Sequence, residues 1–124
     1  MNTNQVADVV YNFLLTKHPR VYRNKAPQTP IFPYVIYDIS NVTDTVPSYD
    51  YQVYIDIYDK PDVSVRAITT LADTINHDLL DTVISDSVLN CHIRTLDVRQ
   101  YIQNTELISS QMINMQFTAR VYFK

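Results

Sequence analysis

Residues 49–58, "YDYQVYIDIY", alternate between two kinds of side chain for ten positions without a slip. Tyr49, Tyr51, Val53, Ile55 and Ile57 share one parity, and Asp50, Gln52, Tyr54, Asp56 and Tyr58 share the other. Successive side chains of a strand point to opposite faces, so the pattern predicts a strand with one face in a core and one towards water. Residues 112–123 repeat it. Ile113, Met115, Phe117, Ala119, Val121 and Phe123 oppose Asn114, Gln116, Thr118, Arg120 and Tyr122. Two such strands predict a sheet covered on one side only.

Working outward, residues 34–41 read as a strand with Val35, Tyr37 and Ile39 on one face. Residues 88–98, "VLNCHIRTLDV", read as another, and 99–110 stay open between strand and loop. Val6, Val9, Val10, Phe13 and Leu14 recur at helical spacing and predict a helix over 4–17, capped by Thr3 or Asn4 and stopped before Pro19. A second helix over 62–80 carries Val65, Ile68, Leu71, Ala72, Ile75 and Leu79 as its buried stripe, with Pro61 and Asp62 at its start. Between the first helix and the strand at 34 lies an arm, 18–33, with Pro27, Pro30 and Pro33 and a short strand at Val21–Tyr22. The eight or so residues between 41 and 49 predict a protruding loop, and Asp81–Ser87 a turn.

The order is helix, two strands, helix, two strands. It predicts a single α+β domain over 1–124, with roughly four strands in an antiparallel or mixed sheet and both helices on one face. The sheet's other face is then left over, carrying Tyr54, Asp56, Tyr58, Gln116, Thr118, Arg120 and Tyr122. Tyrosine offers large contact area with a polar tip, so a face rich in it suits a half-wet surface that a partner covers.

Composition narrows the function further. The chain has 124 residues, one cysteine, ten tyrosines, no glycine and a formal charge of −3. Without glycine, backbone positions with positive φ fall to Asn or Asp. Tight two-residue hairpins are disfavoured. A phosphate-cradling loop, a dinucleotide fingerprint and a nucleophile elbow are excluded for the same reason. The N-terminus has neither a basic region nor a long apolar run, which predicts cytosolic synthesis, and no apolar run is long enough to span a bilayer.

The charges are segregated: residues 17–25 hold four basic side chains and no acid, while 38–62 hold six aspartates against one lysine. So small a basic patch releases few counterions and predicts no DNA-reading surface. It does suit pairing between copies of the chain.

Candidate chemistry is thin. Cys91 and His92 are strand neighbours on opposite faces and cannot pair; Cys91 shares parity with Leu89 and Ile93 and reads as a core residue. Asp73, His77 and Asp81 recur every four residues along the second helix, yet no further ligands complete a metal shell. His18 has no evident partner, and "NVT" at 41–43 is a glycosylation acceptor only in a secreted chain. The expectation is a protein that is not an enzyme, with no catalytic, metal or cofactor-binding residues.

The segments "VYRNKAPQTPIFPYVIYDIS" (21–40) and "YQVYIDIYDKPDVSVRAITTLADTINHDLL" (51–80) resemble the tail-terminator, or tail-completion, family of long-tailed bacteriophages. The likeness is carried by Val21-Tyr22-Arg23, Ala26-Pro27, Pro33-Tyr34-Val35, Tyr37 and the strand from Val53 to Tyr58. A helix with Ala67, Leu71, Ala72, Ile75 and Leu79 completes it. Family loops often hold glycine, absent here, and many members have tryptophan where Tyr58 stands.

The resemblance implies a structural virion protein: a subunit forming a homo-oligomeric ring, usually a hexamer, on the head-proximal end of the tail tube. Such a ring ends tube polymerisation and meets a head connector, while DNA passes through unread. The implied partners are further copies, the major tail tube protein and the connector or stopper, with no membrane. The implied location is the tail–neck region of the virion, after assembly in the host cytoplasm. Alternatives are a head-side connector or stopper, a component of a contractile tail, or, from another class, a small cytosolic ligand-binding protein or enzyme. The residues expected at interfaces are Arg20, Tyr22, Arg23, Lys25, Pro27 and Pro30 of the arm, the acids Asp44, Asp50 and Asp59, and Tyr54, Tyr58, Arg120 and Tyr122 of the sheet. Proline fixes φ, so the arm either carries its cations to a neighbour's aspartates or is pinned across its own domain.

Overall fold

The computed structural model of the chain describes residues 3–45, 48–102 and 110–124, and of 43–45 the backbone alone. Along it run α1 (Thr3–Leu15), β1 (Val21–Arg23), β2 (Tyr34–Thr45), β3 (Ser48–Asp59), α2 (Arg66–Leu79), β4 (Val83–Ser85), β5 (Leu89–Ile102) and β6 (Gln111–Phe123). The fold is α+β, with a sheet ordered β1-β2-β3-β6-β5-β4. β1 lies parallel to β2, and the other described pairs are antiparallel.

The sheet thus has six strands where roughly four were expected. The two beyond the four long ones are three residues long and sit at the edges, where a strand needs partners on one side only and leaves little periodic signal; β1 falls on the short strand expected at Val21–Tyr22. β4 occupies the stretch read as a turn. β5 continues to Ile102 through the stretch left open, and 103–109 lie outside the described residues.

The loop expected between 41 and 49 is also corrected. β2 and β3 stay paired to Thr45↔Ser48, and only residues 46 and 47, outside the described residues, separate them. A register shift between Asn41 and Thr43 accommodates one extra residue, which hid the strand's continuation from the alternation pattern. α2 starts at Arg66 rather than 62; the Arg66 N–H donates to the Ser64 hydroxyl, and Val65 is exposed instead of joining the stripe.

The core forms as the two periodicities dictate. Val35, Tyr37 and Ile39 of β2, Tyr51 to Ile57 of β3, Leu89 to Ile93 of β5 and Ile113 to Val121 of β6 bury their odd-numbered side chains in one cluster. Val6, Ala7, Val9, Val10 and Leu14 of α1, and Ile68, Ala72, Ile75 and Leu79 of α2, join the same cluster. Each large apolar side chain buried there contributes roughly 1.5–3 kcal/mol. Cys91 belongs to this layer, and burial pushes its thiol up to about 12.

Two polar devices fix the connections. Gln111, 3% exposed, donates from Nε2 to the carbonyls of Lys60 (3.0 Å) and Val63 (2.9 Å) and accepts from the Tyr101 hydroxyl, tying the β3–α2 turn to β6. The two positive-φ residues described are Asn24 (71°) and Asp81 (58°), the residue types that a chain without glycine must use.

Candidate interaction face

The even-numbered residues of β2 as far as Ser40, and those of β3 and β6, project from the sheet face opposite the helices. Register builds them into rows. Tyr34, Tyr58, Met112 and Ile102 stand side by side on β2, β3, β6 and β5, followed by Ile36, Asp56, Asn114 and Gln100, then Asp38, Tyr54, Gln116 and Val98. The expected Tyr54, Tyr58, Arg120 and Tyr122 all lie on this face, half-buried apart from the more exposed Tyr122. No described helix or strand is packed over it.

One end of the face is aromatic. Tyr34 and Tyr58 stack with ring centroids 5.1 Å apart and 15° between planes, and Phe32 and Tyr22 pack against Tyr34 at 5.2 and 6.3 Å. Burial raises the Tyr34 and Tyr58 hydroxyls above the ordinary tyrosine range. Phe32, Tyr34, Met112 and Ile102 were missed in the sequence. Tyr34 shares parity with Tyr54 and Tyr58 only through cross-strand register, which a linear pattern does not contain.

The middle and far end are polar and internally paired. Asn114 donates its amide N–H to the Asp56 carboxylate, while its own Oδ1 is buried without a partner. Burial drives the Asp56 carboxyl above the ordinary range, against the lowering effect of that hydrogen bond. Asp97, at an irregularity in β5, accepts from the Thr118 hydroxyl, Gln52 and Thr95, and the first of these does most to hold it below the usual carboxylate range. Arg120 Nε donates to Asp50 at 3.3 Å, so two of the expected interface residues satisfy each other.

The arm is pinned to its own domain at its base. His18 Nε2 and Arg20 Nε meet the Pro33 carbonyl at 2.9 and 3.0 Å. Arg23 donates to Asn4 Oδ1 at 2.8 Å and lies 3.8 Å from Asp38. Of the two readings of the arm, a reach to a neighbour or a hold across its own domain, Arg20 and Arg23 follow the second, being engaged within the chain. Lys25, Pro27 and Ile31 remain exposed. Among the acids, Asp59 is corrected: it is 6% exposed, shares the helix-side parity, and caps the Lys60 N–H, so it is closed to a neighbour's arm. Asp44 lies on β2 opposite Tyr49; its side chain falls outside the described residues.

The spaced trio on α2 is dispersed among other partners. Asp73 pairs with Arg99 at 2.6 Å, His77 with Asp78 at 2.9 Å, and Asp81, beyond the helix, with His92 at 3.0 Å. A groove of about 720 Å³ opens where the end of the arm meets the start of α2, lined by Phe32, Asp59, Lys60, Val63, Arg66 and Ala67 among others. Among the described residues no helix is long and apolar enough to cross a membrane.

No family model matches the chain, and no curated protein matches it. Among solved structures, 17 chains do. One of them aligns with a TM-score of 0.67 at 11% sequence identity, over 95% of this chain and 96% of its own. Coverage of both chains is nearly complete, so the likeness extends to the whole domain. At that identity it is a likeness of fold.

Proposed function

We propose that this chain is a structural subunit of the tail-terminator kind, which assembles as a ring, in the family usually of six copies, on the head-proximal end of a phage tail tube. In this reading the ring ends tube polymerisation, meets the head connector on its other side, and lets DNA pass without reading it. The observation that carries the proposal is the bare tyrosine-bearing sheet face. The core is complete on one side, while the other side is left to half-buried Tyr54 and Tyr58 and the exposed Tyr122, the kind of surface that a protein partner completes. The resemblance over residues 21–40 and 51–80 supplies the biological setting.

Mass measurement of the purified chain, alone and with preformed tail tubes, tests the proposal. Wild type is expected to form rings or to cap tubes at one end. Tyr54→Lys combined with Gln116→Lys places two charges in one row of the face, and is expected to weaken association at least tenfold while melting stays cooperative. Capping of the head side of the neck instead of the tube would assign the chain to the connector or stopper. A chain that neither self-associates nor binds tube or connector would overturn the structural role.

A further inference from the structure

Asp56 is a half-buried carboxylate on the open face with no cation beside it. Its row across the sheet is Ile36, Asp56, Asn114 and Gln100. On the same face Tyr54 and Tyr58 flank it along β3, Tyr34 and Asp38 stand diagonally on β2, and Met112 and Gln116 diagonally on β6. None of these is a cation. Arg23 lies 3.8 Å from Asp38 and donates to Asn4, and Arg120, three rows away, donates to Asp50. His92, opposite Arg120 on β5, meets Asp81. Asp97, the other acid of this face without a cation, is exposed and accepts from Thr118, Gln52 and Thr95. Asp56 has Asn114 as its hydrogen-bond partner and no ion pair among the described residues.

That partner is itself incomplete. Asn114 gives an N–H to the Asp56 carboxylate, while Asn114 Oδ1 is buried and accepts nothing among the described residues. A buried acceptor left empty is costly. The hydrogen it lacks is one that an ionised carboxylate does not have and a protonated one does. A carboxylic acid beside a primary amide pairs with it twice, the amide N–H to the acid carbonyl and the acid O–H to the amide oxygen. A cation from outside would answer the charge of Asp56 but would not reach Asn114 Oδ1, which is already closed to solvent. Burial also lifts the Asp56 carboxyl above its ordinary range, outweighing the lowering effect of Asn114.

We propose that the Asp56–Asn114 pair takes up a proton when a second copy covers the open face, so that mild acid strengthens assembly and alkaline pH weakens it. This deepens the ring reading, adding a control on it, and rests on that reading's use of the open face as the contact surface. Covering the face strips the remaining water from a half-buried charge, which favours the neutral form further. Association is thereby linked to proton binding. Its gain is full on the acid side and is lost as pH rises through the value of the covered carboxyl.

Sedimentation of the full chain, alone and with preformed tail tubes, at pH 5.5 and 7.5 tests this when wild type is compared with Asp56→Asn. One proton changes an association constant by at most about tenfold per pH unit. Wild-type association is expected to weaken by about tenfold over this range. Asp56→Asn carries the added hydrogen permanently. It is expected to associate at pH 7.5 about as tightly as wild type at pH 5.5, without the tenfold loss. The three histidines are common to both proteins, so the difference between the profiles belongs to Asp56. Calorimetry in two buffers of different ionisation heat counts the proton directly, and uptake on association is expected to be larger in wild type than in the variant. Equal pH profiles in the two proteins, or wild-type association that tightens as pH rises because a neighbour's cation meets Asp56, would overturn the proton uptake and leave the ring reading standing. A wild-type chain that stays monomeric at both pH values, alone and with tail tubes, would overturn both.

Discussion

Asp56 stands in the middle of the open sheet face, with Ile36 and Asn114 opposite it on the flanking strands. Its folded-state carboxyl titrates above its ordinary 3.8 because burial penalises the charge. The folded state therefore binds the proton more tightly than the unfolded chain. Between the ordinary value and the raised one, Asp56's contribution to stability falls as pH rises, and at neutral pH its charge opposes folding. Asp56→Asn removes the charge and supplies an N–H for the orphaned Asn114 Oδ1. It is expected to raise stability at neutral pH by about 1 kcal/mol, with the gain shrinking towards acid pH. Urea unfolding of both proteins at pH 4 and pH 7.5 measures this, and an equal gain at both would contradict the account. Asp78 and Asp97 act in the opposite sense. Their lowered values, set foremost by His77 and by Thr118 respectively, favour folding above the ordinary carboxylate range and lose effect in acid.

At the scale of elements, the sheet's edges are guarded, while no described helix or strand covers its open face. Backbone bonds from Val35 N–H to Arg20 and from Asn24 N–H to Tyr37 show that odd-numbered residues of β2 point their backbone groups to the outer edge. Beyond β1 the next outward donor, Ile39 N–H, is taken at 2.8 Å by its neighbour Asp38's carboxylate, and the register shift after Asn41 interrupts the edge again. β5 carries two irregularities, at 93–95 and 96–98, beyond the short cover of β4. Such devices discourage edge-to-edge pairing. Asp38→Val is expected to change stability by no more than about 1 kcal/mol. It should nevertheless produce slow, concentration-dependent aggregation, visible as rising light scattering; a variant that stays clear for days would deny the edge this role.

These edge features were not legible beforehand. The long helices and the four long strands were, because in each at least three apolar side chains recur at 3.6 or 2 residues. Three-residue β4 has no buried side chain and β1 only Val21, too few for any period to emerge, so β1 is legible only as a short strand at Val21–Tyr22 and β4 reads as a turn. The bulge in β2 shifts the pattern midway and made a continuing strand look like a loop.

For the whole molecule, one cluster joins both helices to one face of the sheet, so local opening of the edges leaves Cys91 enclosed. Its thiol is fully buried and held at about 12, far from reactive. Labelling of Cys91 by a thiol reagent is therefore expected to follow global unfolding, with a denaturant dependence matching the equilibrium m-value. Labelling that proceeds faster than unfolding would point to a core less unified than the packing implies. Under the proposed assembly, binding specific to the folded state would raise apparent stability with concentration.

By itself the sequence determined the two helices, the long strands, the side of each strand that is buried, and the parity that sets Tyr54, Tyr58, Arg120 and Tyr122 on the uncovered face. All of these follow from local geometry, which assigns each side chain a direction from its neighbours in the chain. The tertiary structure alone decided that Tyr34 stacks on Tyr58, that Arg23 and Arg20 are held by their own domain, that Asp59 is buried, and that Lys60 and Arg66 flank one groove. Each of those facts depends on register and on segments far apart in sequence, where the position of one partner is set by the packing of everything between them.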